Sequence, residues 1–227
     1  IVNTSAIVLK SFSYGESSLI ARCFSKKNGK ISLIIKGAKK SKSSKAPYFQ
    51  PLCYIDIIYN HKLNRDLHIL SKVNFRQYWS KILDDLYRVS LAISILELTD
   101  KTISDNDPHP LLFLTLKEVL KAFNNSLIDP KILFWFYECA LLNNLGFQPN
   151  LEDPKLSGLV LPNIKNDSSC IAVLSTLLSG EMSQLQKIKV SKKTSSLISD
   201  YLWSLIDYHF EGLSSIKSFK VVKKLLS

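Results

Sequence analysis

The first 75 residues carry short apolar runs in which hydrophobic and polar positions tend to alternate. Ala6–Leu9, Leu19–Phe24, Ile31–Ile35, Leu52–Tyr59 and Leu67–Phe75 are the five runs. In an extended chain successive side chains point to opposite faces. Cys53, Ile55, Ile57 and Tyr59 therefore share one face, with Tyr54, Asp56, Ile58 and Asn60 on the other. Between the second and third runs sits Asn28-Gly29, a pair that tolerates the positive φ of a tight hairpin turn. Residues 36–51 form a long connection, basic and rich in serine, that closes at Pro47 and Pro51. Five short strands in some 70 residues predict a small closed barrel, because closure removes exposed strand edges.

From Trp79 the period changes. Ile82, Leu83, Leu86, Val89 and Ile93 follow helical spacing, which predicts a helix from Trp79 to about Thr99. A turn-rich break spans Asp105 to Pro110, and a second helix is expected over Leu111–Phe123. Asp129-Pro130 supplies a helix cap and a proline in the first turn, and Gly146 marks the end of that third helix. Its run Phe134-Trp135-Phe136-Tyr137 places aromatics all round, which predicts burial against several neighbours. Pro149, Pro154, Gly158 and Pro162 predict an irregular insertion over about 147–170. Ser191 can cap a helix running to about Phe210, and Ile216–Leu226 reads as a final amphipathic helix with Lys217, Lys220, Lys223 and Lys224. The expected fold class is α+β: a five-stranded barrel of the oligonucleotide-binding (OB) type over residues 1–76, then an all-helical domain over 77–227.

Composition adds little to this, but charge adds a great deal. The 227 residues are 46% hydrophobic and 22% charged, the balance of a globular chain. No run approaches the roughly 20 apolar residues of a membrane span, and Lys10 interrupts the only apolar stretch near the start that could resemble a secretion signal. The net charge is +11. Residues 1–75 hold 13 Lys and Arg against 3 Asp and Glu, and residues 76–227 hold 17 against 16. Between Glu16 and Asp56 there is no acidic residue, while Arg22, Lys26, Lys27, Lys30, Lys36, Lys39, Lys40, Lys42 and Lys45 fall in that window. Such an excess attracts polyanions, so a nucleic acid is the expected partner and a membrane is not.

OB-type barrels bind single strands with a basic groove and aromatic platforms for bases. Phe12, Tyr14, Phe24, Tyr48, Phe49, Tyr54 and Tyr59 are on offer. Alternation assigns most of them to packing, with Tyr48 and Phe49 in the basic connection as the expected exceptions. Catalytic patterns are absent from the chain. Its 7 glycines form no phosphate-cradling loop, and His61, His68, His109 and His209 have no metal-ligand spacing. His61 and His68 can share the hairpin between the fourth and fifth strands. Cys23, Cys53, Cys139 and Cys170 are widely spaced and read as buried reduced thiols. The chain reads as a binding protein of the cytoplasm, with no enzyme activity and no cofactor.

Several segments in fixed order resemble the bacterial recombination mediator family RecO. They are Thr4–Lys10 with Tyr14-Gly15-Glu16-Ser17, the stretch Phe24–Lys40 with its Lys-Gly-Ala-Lys connection, Gln50-Pro51, and Leu145-Gly146-Phe147-Gln148-Pro149-Asn150-Leu151. Many members follow the last motif with a Cys-x-x-Cys-Gly zinc pair and a second cysteine pair. Here those first positions are Pro154 and Ser157, and only Cys170 remains near the second pair, so the resemblance implies a variant without zinc.

The resemblance also implies a function. It is binding of single- and double-stranded DNA, annealing of complementary strands, and, with RecR, help to RecA in replacing single-strand-binding protein, whose acidic C-terminal tail docks on the helical domain. The expected DNA-binding residues are Arg22, Lys26, Lys27, Lys36, Lys39, Lys40, Lys42 and Lys45. Barrel and charge alone leave open an OB-fold RNA-binding protein of translation or RNA processing, and a non-catalytic assembly subunit. Nothing in the residues reads a 2′-hydroxyl.

Overall fold

The computed structural model describes residues 1–41, 43–62, 65–125, 127–152, 156–210 and 213. Five strands form a closed barrel in the order β1-β2-β3-β5-β4. They are β1 (Val2–Tyr14), β2 (Ser18–Ser25), β3 (Gly29–Ile35), β4 (Cys53–Asn60) and β5 (Leu67–Tyr78). All neighbours pair antiparallel except β3 and β5. The α+β class and the five-stranded barrel followed by helices agree with the sequence pattern. On β4 the expected face is inside: Cys53, Ile55, Ile57 and Tyr59 are buried in the barrel core with Val8 and Leu33. β1 is longer than its apolar run, and its last residues, Phe12 to Tyr14, are exposed.

Strand direction sorts the connections to two ends. β1 and β3 both run antiparallel to β2, and β5 runs parallel to β3. The β1–β2 turn, the start of the 36–52 connection and the end of β5 therefore lie at one end. The β2–β3 turn (26–28) and the β4–β5 hairpin lie at the other. The Lys39 N–H donates to the Ser17 carbonyl at 2.9 Å, tying the long connection to the β1–β2 turn.

Among the described residues five α-helices follow: α1 (Leu86–Thr102), α2 (Pro110–Asn125), α3 (Pro130–Asn144), α4 (Ser168–Leu178) and α5 (Lys192–His209). The helix expected from Trp79 starts at Leu86 instead. The Asp85 carboxylate accepts from the Tyr87 and Arg88 N–H groups, which caps α1 there, and Ser80–Asp84 is a 3₁₀ turn. Trp79 is buried, its ring stacked 6.2 Å from Tyr54. Asp129 caps α3 through the Lys131 N–H and Ser191 caps α5 through the Thr194 N–H, both as expected. Gly146 ends α3 at φ +83, where the Phe147 N–H reaches back to the Leu142 carbonyl at 2.7 Å.

Helix α4 lies partly inside the stretch expected to be irregular up to residue 170. Asp167 caps it by accepting from the Cys170 N–H, and Cys170, Val173, Leu174 and Leu177 bury its inner face. The final helix expected over Ile216–Leu226 falls outside the described residues.

Two compact units divide the chain. One is Ile1–Lys81 with Leu96–Leu120, and the other is Ile82–Ile95 with Lys121–Ser227. The barrel unit thus includes the second half of α1 and most of α2. In the other unit α3, α4 and α5 pack together, with Trp135 donating to the Ser199 hydroxyl at 3.2 Å.

Candidate nucleic-acid interface

The sequence groups eight cations, and the barrel separates them into three sets. Lys36, Lys39, Lys40 and Lys45 are exposed on the 36–45 connection. Lys42 lies outside the described residues. Lys26 and Lys27 are exposed at the β2–β3 turn, the opposite end of β3. Six steps of about 3.3 Å along that strand put roughly 20 Å between the two sets.

Arg22 forms the third set, held in an ion-pair cluster inside the barrel unit. Its Nε donates to Asp100 at 2.7 Å and its Nη2 to Asp105 at 2.9 Å. Lys10 meets the other Asp100 oxygen at 2.7 Å. Lys30 donates to the Asp100 carbonyl at 2.5 Å and stands 3.5 Å from the Asp105 carboxylate. Burial raises the Asp100 carboxyl, and the Lys10 hydrogen bond with the charges of Arg22, Lys10 and Lys30 outweighs it, so the net direction is down. Lys30 is lowered by burial and by Arg22, against the pull of Asp100 and Asp105. The acid-free window from Glu16 to Asp56 is thus answered from 80 residues away. The signal was present as Asp100 and Asp105 flanking a helix end, but sequence offers no way to see which cations they meet.

The exposed aromatics also differ from expectation. Phe49 is wholly buried and belongs to the barrel core, and Tyr48 is half-buried with its ring 5.5 Å from Phe75. Among the described residues of the barrel strands the exposed rings are Phe12 at 48%, Tyr14 at 49% and Phe75 at 45%. Phe12 and Tyr14 finish β1 opposite Ile20 and Ser18, and Phe75 sits in the last third of β5. All three belong to the end of the barrel that carries the 36–45 connection. Exposed cations and exposed rings on one end of such a barrel can hold phosphates and stack bases together.

Residues 1–79 match the family model described as Recombination protein O N terminal, and residues 83–160 match Recombination protein O C terminal. The chain belongs to the RecO family. It is 30% identical over 159 residues to the DNA repair protein RecO of Salinibacter ruber, a match spanning 70% of this chain and 61% of that relative. It is 26% identical to the DNA repair protein RecO of a Thermoanaerobacter species over 97% of this chain and 98% of the relative. The RecO of Exiguobacterium sibiricum is 31% identical over 68% of the chain and 61% of the relative. The chain spans about three fifths of the length of the first and third of these relatives.

The residues do not fit the zinc site that the resemblance raised. Pro154 lies outside the described residues. Cys170 is fully buried, its thiol pushed up to about 11 by burial and by Asp167. Among the described residues no three His, Cys, Asp or Glu side chains come together to hold a metal ion. No helix among them is long and apolar enough to cross a membrane. In the helical unit a pocket of about 230 Å³ is lined by Phe147, Pro149, Tyr201, Leu205 and His209, among others. His209 stacks on Phe147 at 4.2 Å. Among the described residues no lysine or arginine lines this pocket.

Proposed function

We propose that this chain is a recombination mediator in DNA repair. It binds single- and double-stranded DNA, anneals complementary strands and, with RecR, helps RecA replace single-strand-binding protein. Family membership supports the repair role. The observation that carries the DNA site is the exposure of Lys36, Lys39, Lys40 and Lys45 beside Phe12 and Tyr14 at one end of the barrel. Phosphate contacts from these lysines and Lys42 give affinity with little sequence preference. Two strands brought to one basic surface repel each other less, which favours annealing. Lys26 and Lys27 extend the site for strands long enough to run along β3. Arg22 stays with Asp100 and Asp105. The acidic tail of single-strand-binding protein docks on the helical unit.

The test is annealing of two complementary DNA oligonucleotides coated with single-strand-binding protein, at two salt concentrations and without nucleotide. Acceleration that is salt-sensitive and needs no nucleotide is the expected result. Five phosphate contacts on a single strand give a log–log salt slope of roughly −3.5. Absence of acceleration by the folded protein overturns the mediator reading, and tighter binding to RNA of the same sequence favours an RNA role.

A further inference from the structure

At the end of the barrel away from the 36–45 connection, three rings meet. Tyr59 is the last inward residue of β4, His61 follows β4, and His68 is the second residue of β5. The two imidazoles lie 4.8 Å apart between centres, and the Tyr59 ring is 5.3 Å from His68 and 6.1 Å from His61. Tyr59 is 0% exposed and His68 2%.

Several polar atoms of this cluster lack a hydrogen bond of normal geometry, and the Asn106 side chain is the polar neighbour of His68. Tyr59 Oη, His61 Nδ1 and both ring nitrogens of His68 are buried without a hydrogen bond. They are four of the seven such side-chain atoms among the described residues. Buried polar groups are nearly always satisfied, and a cluster of orphans calls for a water or an ion. Neutral imidazole offers one bare nitrogen, which can serve as a hydrogen-bond acceptor or as a metal ligand.

We propose that His61 and His68 bind a divalent transition-metal ion of the zinc class, with the Tyr59 oxygen or water completing its shell. The ring spacing fits. With metal–nitrogen bonds of about 2.0–2.1 Å, two imidazoles on one tetrahedral ion hold their ring centres roughly 5 Å apart. Nitrogen and oxygen donors without thiolate suit zinc or copper and leave calcium and magnesium, which take oxygen shells, as poor fits. Burial and His61 lower the basicity of His68, against the Asn106 side chain and the Asp66 charge, which is the direction that favours a ligating imidazole. The bound ion ties the end of β4 to the start of β5 and braces the hairpin between them.

The test uses untagged full chain stripped with chelator and titrated with Zn²⁺ alone by calorimetry or equilibrium dialysis. One ion per chain is expected, with affinity reduced at least tenfold in His61→Ala. That variant changes a half-buried position, and its far-ultraviolet dichroism should match the parent. Co²⁺ in place of Zn²⁺ should give ligand-field bands without a thiolate charge-transfer band. Failure of the parent to bind Zn²⁺, binding that survives His61→Ala, or a thiolate band that moves the ion to a cysteine each overturns the proposal. His68→Ala and Tyr59→Phe rank the ligands: the first should abolish binding and the second weaken it less.

Discussion

On the outer face of β1–β3 and toward the 26–28 end of the barrel, Lys10, Arg22 and Lys30 converge on Asp100 and Asp105. At the other end Lys36, Lys39, Lys40 and Lys45 stand in solvent with no ion pair among the described residues. A count of residues treats these cations alike, yet their physical states are opposite. The paired set is partly desolvated, fixed in geometry and neutralised at short range, so it holds the residue 100–107 segment against the strands. The free set keeps its hydration and its counterions, which is what a polyanion displaces when it binds. Net charge therefore locates a partner only after the paired cations have been removed from the sum.

Asp100→Asn attacks the paired side of this contrast hardest. It leaves Arg22 and Lys30 facing each other with one carboxylate fewer. Removing one member of a buried ion pair costs about 3–5 kcal/mol, and chemical denaturation of the full chain should show a loss of that order. The same group makes stability pH-dependent. Because the folded carboxyl sits below its unfolded value, its contribution is present above the unfolded pKa of about 3.9 and is lost as pH falls through the folded one. The gap between parent and Asp100→Asn should be full at pH 6 and should begin to narrow only as pH falls below about 3.9. A gap that widens on acidification would mean that the cluster is not what Asp100 stabilises.

Two glycines sharpen the same contrast through the backbone. Gly29 at the 26–28 end and Gly15 at the other end have nearly equal φ, +63 and +58. A Cβ on Gly29 would come within 1.8 Å of the Asp107 carbonyl oxygen and 2.3 Å of its carbon, whereas a Cβ on Gly15 meets nothing within 4 Å. Positive φ alone costs a non-glycine roughly 1–2 kcal/mol, and forcing atoms into packed backbone adds about 1–3 kcal/mol. Gly29→Ala should therefore lose about 3 kcal/mol and Gly15→Ala about 1 kcal/mol in thermal or denaturant unfolding. Equal losses would show that the 105–107 segment yields easily.

The DNA side of the contrast is tested with lysines. Each phosphate contact in water is worth about 1 kcal/mol, so Lys39→Ala, Lys40→Ala and Lys42→Ala combined should weaken single-strand binding about 100-fold. The salt slope should fall in magnitude by about 2, equally for all sequences. Lys26→Ala with Lys27→Ala should change the affinity of a short oligonucleotide less than about threefold, with the effect growing as the strand lengthens. The reverse ranking, measured by fluorescence anisotropy, would move the site to the other end.

What the sequence disclosed and what it concealed follows from range. The barrel was legible because alternation is local: every second residue of β4 is buried, and Asn28-Gly29 turns where its backbone preferences say it should. The caps Asp129 and Ser191 were legible for the same reason, as each acts on a neighbour two or three residues away. Asp85 and Asp167 use the same chemistry, but helical spacing that runs back to Ile82 hid the true start of α1, and the proline-rich stretch before α4 hid that helix. The fate of Arg22 was not legible, because its partners lie 78 and 83 residues on. The aromatics divide the same way. Phe49 sits in a basic, polar connection and yet points into the core, while Phe12 and Tyr14 pair with Ile20 and Ser18 on the face of β1 opposite the core, where alternation turns them outward.

Those two rings give the finest test, because it separates the DNA strand forms on one surface. Bases of a single strand are free to stack on an exposed ring, and stacking of one base is worth about 1–3 kcal/mol. Bases in a duplex are already stacked on each other and offer the protein only edges and phosphates. Tyr14→Ala should therefore weaken single-strand binding about tenfold and leave duplex binding within about twofold. Its neighbours set the control: Ser13 beside it is also exposed but has no ring, so Ser13→Ala should change neither. Quenching of intrinsic tyrosine fluorescence by oligonucleotide, lost in Tyr14→Phe while affinity is kept, would place the base on that ring. Equal weakening of both strand forms by Tyr14→Ala would instead mean that the ring shapes the β1–β2 turn and the lysines tied to it through Ser17, and that the barrel end reads charge alone.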